Sequence, residues 1–468
     1  MIPEFAILGH PNEGKSSVVS TLTEDDSIKV SRTPGETRES KSYTVSLDGK
    51  PLIRFVDTPG FQAPRQVLSW FQSYDGQADQ ITAQFVKTFK NDPFFRDECE
   101  LLDPLTRGAG IIYVVDGSRP VRQDDLAEME IMRLTGRPRM AIINSKTDQQ
   151  DYTPDWNMEF RKHFNAIRVF NSNTASFMDR ILMLESLKSI DQEWEPRLIS
   201  VIQAFKTDWE QRIRTAGTII LDTIGAGISF SISSGLKPGM DQGPVHDKLT
   251  KKYQTHIRRQ ESLMFQKIRL LFKHRQFEFH LPSYSLLNHD LFSKQTFELL
   301  GLSRDQLALA GAVLGGTLGA AIDTAAAGIT FGVFTAVGSL LGAGSAALGG
   351  KKMSQQKKGG FRLGSDVLRL GPCKDPQFLF VMLDRAFIYY SHMVSRPHGR
   401  RDLPAPPLAA NGLKQGVTSG FSQAQRGICL RYFKHLTRRR IIKDDKSIQA
   451  FESLIRSVLS DMASSQGH

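Results

Sequence analysis

The chain has 468 residues, enough for two or three domains, and its apolar content of 40% is ordinary for a globular protein. Its three cysteines, Cys99, Cys373 and Cys429, form no metal-ligand spacing, which argues against a cysteine-based metal site and favours a reducing compartment. The formal net charge of +11 suggests an anionic partner such as a membrane surface or nucleic acid, with solubility alone as the simpler explanation. Residues 1–4 lead directly into an apolar run, so we expect no signal or transit peptide.

The first predicted strand is followed by a glycine-rich loop and a helix. The run Phe5–Leu8 predicts a buried strand, residues 17–22 predict a helix start, and GHPNEGKS (residues 9–16) fits the pattern G-x-x-x-x-G-K-S. Such a loop wraps its N–H groups around phosphates, and the helix N-terminus adds partial positive charge. We expect Lys15 to reach the β- and γ-phosphates and the Ser16 hydroxyl to bind Mg²⁺. The predicted nucleotide-binding residues of this loop are Asn12, Glu13, Gly14, Lys15, Ser16 and Ser17.

The next predicted strand, residues 53–56, ends on the sequence DTPG at residues 57–60. The carboxylate of Asp57 can hold Mg²⁺ through water, and Gly60 can present a backbone N–H to the γ-phosphate. Between the two motifs lies TPGETR (residues 33–38), whose Thr37 can close on the metal when a nucleotide orders the loop.

Two further apolar runs, residues 109–115 and 140–143, predict buried parallel strands. The second leads into a segment in which Lys146 and Asp148 have the spacing Lys-x-Asp. The carboxylate of Asp148 can accept hydrogen bonds from guanine N1–H and the exocyclic amine, which adenine does not offer, so the predicted ligand is GTP or GDP. The alternation of strands and helices predicts an α/β doubly wound sheet with the ligand at the carboxyl ends of the strands.

Residues 1–190 resemble the GTPase domain of the Era, EngA and TrmE family in GHPNEGKS, TPGETR, DTPG and VVDGSRP (residues 114–120). The resemblance implies GTP hydrolysis with Lys15, Thr37 and Gly60 as catalytic residues and with Mg²⁺ held by Ser16, Thr37 and Asp57. It also implies a candidate K⁺ site at Asn12. Phe61 stands where Ras-type proteins have a water-orienting Gln, so unaided hydrolysis is expected to be slow. Acceleration would then come from K⁺, from a nucleotide-dependent dimer or from a partner that supplies the missing group.

The sequence departs from that family in three places. Ser145 precedes Lys146 where the family has Asn, and Asn144 stands one position earlier. The last base-contacting loop, usually Ser-Ala, is assigned to Asn171 and Ser172. A long insert at residues 61–107 carries many aromatic side chains, which either dock a protein partner when the switch closes or pack an extra helix onto the domain.

Residues 191–468 lack such motifs and predict a mainly α-helical domain. Residues 195–215 predict an amphipathic helix, and residues 216–230 and 322–331 carry similar phrases that suggest an internal pair of helices. The tract 308–350 is rich in Gly and Ala with glycines four apart, and its length suits a hairpin of two helices of about 20 residues each. The lysines that follow it suit anionic headgroups, so membrane contact and a buried soluble hairpin are both open.

Two basic stretches, residues 251–275 and 431–443, predict amphipathic helices whose charges form a solvated face or contact a membrane or RNA. No KH-type Gly-x-x-Gly loop is evident, so RNA is the less favoured partner. The whole arrangement resembles bacterial Era-like GTPases fused to a C-terminal domain of unknown function. The leading hypothesis is a cytoplasmic GTPase that switches a helical domain at the inner membrane. The alternatives are an RNA-binding GTPase of ribosome assembly and a GTP-gated pore or toxin-immunity component.

Overall fold

A six-stranded sheet forms the centre of the N-terminal half. In the computed structural model, residues 2–24, 39–47, 49–144, 151–172, 175–236, 241–274, 285–312, 335–338, 366–396, 416–437 and 445–464 are described. The strands are β1 (Glu4–Leu8), β2 (Lys41–Leu47), β3 (Lys50–Asp57), β4 (Gly110–Asp116), β5 (Arg139–Asn144) and β6 (Ala166–Val169). Their order is β2-β3-β1-β4-β5-β6; β2 pairs antiparallel with β3, and the remaining pairs are parallel.

Helices cover both faces of this sheet, which confirms the predicted doubly wound α/β fold. Because side chains alternate along a strand, Phe5 and Ile7 of β1 enter one core and Ala6 and Leu8 enter the other. The helices are α1 (Lys15–Thr23), α2 (Pro64–Gln72), α3 (Ile81–Phe89), α4 (Arg96–Thr106), α5 (Gln123–Leu134), α6 (Thr153–His163) and α7 (Phe177–Lys188). The core that contains Phe5 and Ile7 includes α1 and α7, and the core that contains Ala6 and Leu8 includes α2 to α6.

The insert at residues 61–107 supplies three of these helices, α2, α3 and α4. Its aromatic rings pack on one another: the Trp70 ring centroid lies 5.3 Å from that of Phe85, and the Phe89 and Phe95 centroids are 4.6 Å apart. Phe94 also packs edge-on against Phe95, with 4.8 Å between the ring centroids, although 59% of its surface is exposed. Packing of added helices therefore accounts for most of the aromatic side chains in the insert.

The C-terminal half is mainly helical, as predicted, and also contains a small sheet that was not predicted. Three antiparallel strands run in the order β7-β9-β8. The elements are α8 (Glu195–Ser229), β7 (Ile232–Leu236), α9 (Gln242–Leu271), α10 (Lys294–Leu299), α11 (Arg304–Ala312), β8 (Thr335–Gly338), β9 (Asp366–Leu370), α12 (Pro376–Val394), α13 (Gln423–Thr437) and α14 (Asp445–Ser464). Nearly every side chain of α12 is buried, so this helix forms the centre of the core of the C-terminal half.

The Gly/Ala-rich tract 308–350 differs from its prediction where the structure describes it. Residues 308–312 end α11, but Thr335–Gly338 form β8, so a helix over these four residues is wrong. Backbone pairing with β9 places these four residues in a strand. The remainder of the tract, including residues 322–331, lies outside the described residues. No helix in the described ranges is both long and apolar enough to cross a bilayer.

The 35-residue helix α8 contributes to the core of the large sheet and to the core of the C-terminal half. Leu198, Val201 and Phe205 in its first turns pack into the core of the large sheet. Further along the same helix, buried side chains from Ile213 to Ile228 belong to the core of the C-terminal half. At 1.5 Å per residue the helix is about 50 Å long, so it connects the two halves of the protein as one continuous element.

Candidate functional site

The loop between β1 and α1 has a geometry that requires glycine at its end. Gly14 precedes α1 with φ 96° and ψ 22°, and a Cβ added there would lie 2.3 Å from Nδ2 of Asn144. No side chain caps α1 at this point, so the N–H groups of its first turn are available to an anion. The loop therefore has the form of a phosphate-binding site.

Lys15 lies at the centre of this loop, with 7% of its surface exposed. Its Nζ donates to the carbonyl oxygens of Gly9 at 3.0 Å and His10 at 2.9 Å. Burial lowers the pKa of the Lys15 ammonium, and the nearby Asp57 carboxylate opposes that shift. The loop thus presents a buried cation beside a helix N-terminus, the combination that binds the phosphates of a nucleotide.

Ser16 and Asp57 meet beside Lys15 and fit a divalent cation. The Ser16 hydroxyl donates to Oδ2 of Asp57 at 2.7 Å. Oδ1 of Asp57 is buried and has no hydrogen-bond partner among the described residues. Burial raises the pKa of Asp57, while the hydrogen bond from Ser16 lowers it. A hydroxyl and a carboxylate with one unsatisfied oxygen are the hard oxygen ligands that Mg²⁺ prefers.

The DTPG loop lies directly against the phosphate-binding loop. A Cβ added to Gly60 would lie 2.5 Å from the backbone nitrogen of Pro11, so this close approach requires glycine. The Thr58 hydroxyl fixes the DTPG loop by donating to the carbonyl oxygen of Ile7 at 2.7 Å. Phe61 is fully buried in the core under α2, so its side chain faces neither solvent nor the nucleotide site.

Asn144, at the end of β5, was not among the predicted site residues, yet it joins two loops of the site. Its Nδ2 donates to the carbonyl oxygen of Glu13 at 3.0 Å, and its Oδ1 accepts from the N–H of Ser172 at 3.2 Å. The predicted residue at this motif position is Ser145, directly before Lys146. The available signal was Asn144 itself. The family's motif has Asn directly before Lys, whereas here Ser145 stands between Asn144 and Lys146.

The Glu13 side chain points away from the phosphate-binding loop and stabilises the loop by accepting hydrogen bonds from residues outside it. Oε1 of Glu13 accepts from Nε of Arg119 at 2.6 Å, and its other oxygen accepts from the backbone N–H of Asp116. Arg119 also donates to both carboxylate oxygens of Asp125, at 2.6 Å and 2.7 Å. The Glu13 carboxylate is therefore occupied, and its predicted part in nucleotide binding is limited to the backbone.

The other predicted site residues have mixed outcomes. Asn12 is exposed and adopts φ 68°, a left-handed conformation that Asn tolerates. Ser17 is buried in the first turn of α1, and Asn171 is half-buried beside Ser172. Four predicted site residues lie outside the described residues: Thr37, Ser145, Lys146 and Asp148.

A buried ionic cluster lies at the far end of α1. Glu24, which follows the helix, pairs with Arg180 of α7 at 2.5 Å, Arg212 of α8 at 2.8 Å and Lys273 after α9 at 2.9 Å. Burial alone would raise the pKa of Glu24, but these three cations together lower it well below its usual value. The cluster ties the helix of the phosphate-binding loop to the C-terminal half.

Two family models match successive parts of the chain. Residues 4–145 match the family described as 50S ribosome-binding GTPase, so the N-terminal half is a P-loop GTPase domain of a GTP-binding protein. Residues 158–457 match the domain of unknown function DUF3482. Since that match covers more than half of the sequence, the protein belongs to the DUF3482 family.

Individual relatives cover only part of the protein. The chain is 27% identical over 195 residues to GTPase Der of Bifidobacterium longum, covering 40% of this chain and 37% of the relative. It is 29% identical over 149 residues to the probable GTP-binding protein EngB of Koribacter versatilis, covering 31% and 63%. The structure of Era in complex with MgGDPNP and 16S ribosomal RNA aligns with a TM-score of 0.29 and 18% identity, over 41% of this chain and 57% of Era. The chain thus spans less than two thirds of each.

Proposed function

We propose that this protein binds and hydrolyses GTP with Mg²⁺, and that the bound nucleotide controls a helical domain formed by residues 191–468. The observation that carries the proposal is the Glu24 cluster. α1 begins at Lys15, in the phosphate-binding loop, and ends at Thr23, directly before Glu24, which pairs with Arg212 of α8. α8 packs in the core of the large sheet and in the core of the C-terminal half. A shift of α1 would therefore be transmitted through α8 to the helical domain.

The residues of the site have distinct roles in this proposal. The backbone of residues 12–17 and the Lys15 ammonium bind the phosphates, and Lys146 and Asp148 select guanine. Ser16, Asp57 and Thr37 hold Mg²⁺, which when bound neutralises charge on the β- and γ-phosphates. The Gly60 N–H senses the γ-phosphate. Phe61 offers no group to orient water, so hydrolysis is slow unless K⁺ at Asn12, a dimer or a partner assists.

Thermodynamic reciprocity gives a test of the control function. If the γ-phosphate alters the helical domain through α8, weakening that link must change the preference for a non-hydrolysable GTP analogue over GDP. We expect Arg212→Ala to change the ratio of the two dissociation constants by about tenfold. The matched control is Arg214→Ala on the same helix, whose side chain is 57% exposed. An unchanged ratio in Arg212→Ala would refute control through α8.

Membrane contact through residues 308–350 is the second part of the proposal. It is supported by the Gly/Ala composition of that tract and by Lys351, Lys352, Lys357 and Lys358 directly after it. Flotation of the full chain on anionic vesicles, with and without residues 308–350, tests it. Salt-resistant flotation lost on deletion supports inner-membrane association. Co-sedimentation with ribosomes instead would favour RNA as the partner, and vesicle leakage only with GTP would favour a gated pore.

A further inference from the structure

Helix α4 of the insert contacts the segment that follows Gly60. Glu98 of α4 is fully buried, and its Oε1 accepts from the backbone N–H groups of Gln62 at 2.9 Å and Ala63 at 2.6 Å. Gln62 and Ala63 directly precede Pro64, the first residue of α2. A carboxylate near a helix N-terminus is stabilised by the helix dipole, so Glu98 fixes the segment that leads into α2.

The carboxylate of Glu98 is costly in this position. Its Oε2 is buried without a hydrogen-bond partner, and no cation pairs with it among the described residues. Burying a charge with only two backbone donors is expensive, and an apolar side chain would pack here at lower cost. An uncompensated buried group of this kind points to a role beyond stability.

The same helix also contacts the segment that follows Thr37 in the sequence. Oε2 of Glu100 accepts from the Ser40 N–H at 3.2 Å, and the Glu100 carbonyl oxygen accepts from the Ser40 hydroxyl at 2.7 Å. Ser40 directly precedes β2, three positions after Thr37. α4 therefore holds one end of each of the two segments that are expected to sense the γ-phosphate.

From these contacts we propose that α4 couples the two γ-phosphate-sensing segments and that Glu98 is the positioning residue that holds the segment after Gly60. Gly60 lies two residues before Gln62 and already contacts Pro11 of the phosphate-binding loop. Fixing Gln62 and Ala63 keeps the Gly60 N–H beside that loop. The proposal rests on GTP binding by this site, and it assigns the insert a role in distinguishing GTP from GDP.

Two variants separate positioning from folding. Glu98→Ala removes the acceptor, whereas Glu98→Gln keeps one oxygen that can accept from both N–H groups. The control is Glu159→Ala on α6, whose side chain is 20% exposed and pairs with Lys162. Each protein is titrated with fluorescent GDP and with a fluorescent non-hydrolysable GTP analogue, and single-turnover GTP hydrolysis and thermal unfolding are followed in parallel. Ser40→Ala tests the other end of α4 in the same assays.

We expect Glu98→Ala to retain its GDP affinity, to lose about tenfold in affinity for the GTP analogue and to hydrolyse GTP more slowly. Glu98→Gln should restore most of both losses. The inference is overturned if Glu98→Ala keeps the wild-type affinity ratio, or if both variants lose GDP and analogue binding equally and in step with their thermal stability. A wild-type chain that binds neither nucleotide would instead defeat the proposed function itself.

Discussion

Glu24 and Glu98 are both buried carboxylates that contact the nucleotide-binding domain, but they are stabilised in different ways. Glu24 is surrounded by three cations from α7, α8 and the end of α9. Glu98 has only two backbone N–H groups as partners. Charge-assisted pairs are the stronger contacts, so the Glu24 cluster suits a rigid connection between the two halves of the protein. The weaker contact at Glu98 suits a segment that must respond to a single phosphate.

The largest effect should follow from disrupting the phosphate-binding loop, to which both the Glu24 cluster and the Glu98 contact are linked. Lys15→Ala deletes a buried cation that faces the phosphates, which we expect to cost about 3 kcal/mol or more of binding energy. Affinity for both GTP and GDP should then fall at least about a hundredfold. Fluorescent-nucleotide titration measures this, with the exposed Lys162→Ala as control. Retained tight GTP binding by Lys15→Ala would show that the site is assigned wrongly.

A second variant tests the segment after Gly60, which Glu98 contacts. Phe61→Gln introduces the residue that orients water in Ras-type proteins, but position 61 is fully buried. We expect a loss of about 3 kcal/mol in the free energy of unfolding, since a large apolar side chain leaves the core. Hydrolysis should not accelerate. Urea unfolding and single-turnover hydrolysis check both points, and faster hydrolysis with unchanged stability would mean that residue 61 reaches the nucleotide.

Loss of one cation from the Glu24 cluster should lower the free energy of unfolding by less than Phe61→Gln does. Arg212→Ala leaves Arg180 and Lys273 to stabilise the Glu24 carboxylate. We therefore expect a loss of about 2 kcal/mol, less than for a buried pair with no other partner. Urea unfolding measures it, and Arg214→Ala should change stability by less than about 0.5 kcal/mol. Equal effects of the two arginine variants would remove the distinction between the cluster and an ordinary surface pair.

Acid titration should reveal the smallest effect. Because the pKa of Glu24 is lower in the folded protein than in the unfolded chain, its stabilising contribution is present above the unfolded value of about 4.3 and is lost as the pH falls through the folded value. The stability difference between wild type and Glu24→Gln should therefore shrink below about pH 4. Unfolding curves between neutral and acid pH test this. A difference that grows on acidification would contradict the ion-pair account.

The sequence predicted those parts of the site that depend on short motifs. The phosphate-binding loop, Asp57 and Gly60 could be located from the sequence because their spacing is set by local backbone geometry, and their roles in binding stay predictions. The role of Asn144 was missed because one extra residue separates it from Lys146. Glu98 and the Glu24 cluster could not be predicted, since their partners are far away in sequence; Glu24 and Arg212 are 188 positions apart. The small sheet of the C-terminal half was missed because weakly patterned strands form only through pairing with each other.

The central claim is that nucleotide state reaches the helical domain through α8. Hydrogen exchange along Glu195–Ser229, compared between a non-hydrolysable GTP analogue and GDP, tests it most directly. We expect amide protection in α8 beyond Arg212 to differ between the two nucleotides. Arg212→Ala should abolish this difference, and Arg214→Ala should preserve it. Identical exchange of α8 in both nucleotides, with a change confined to the phosphate-binding loop and α1, would contradict it.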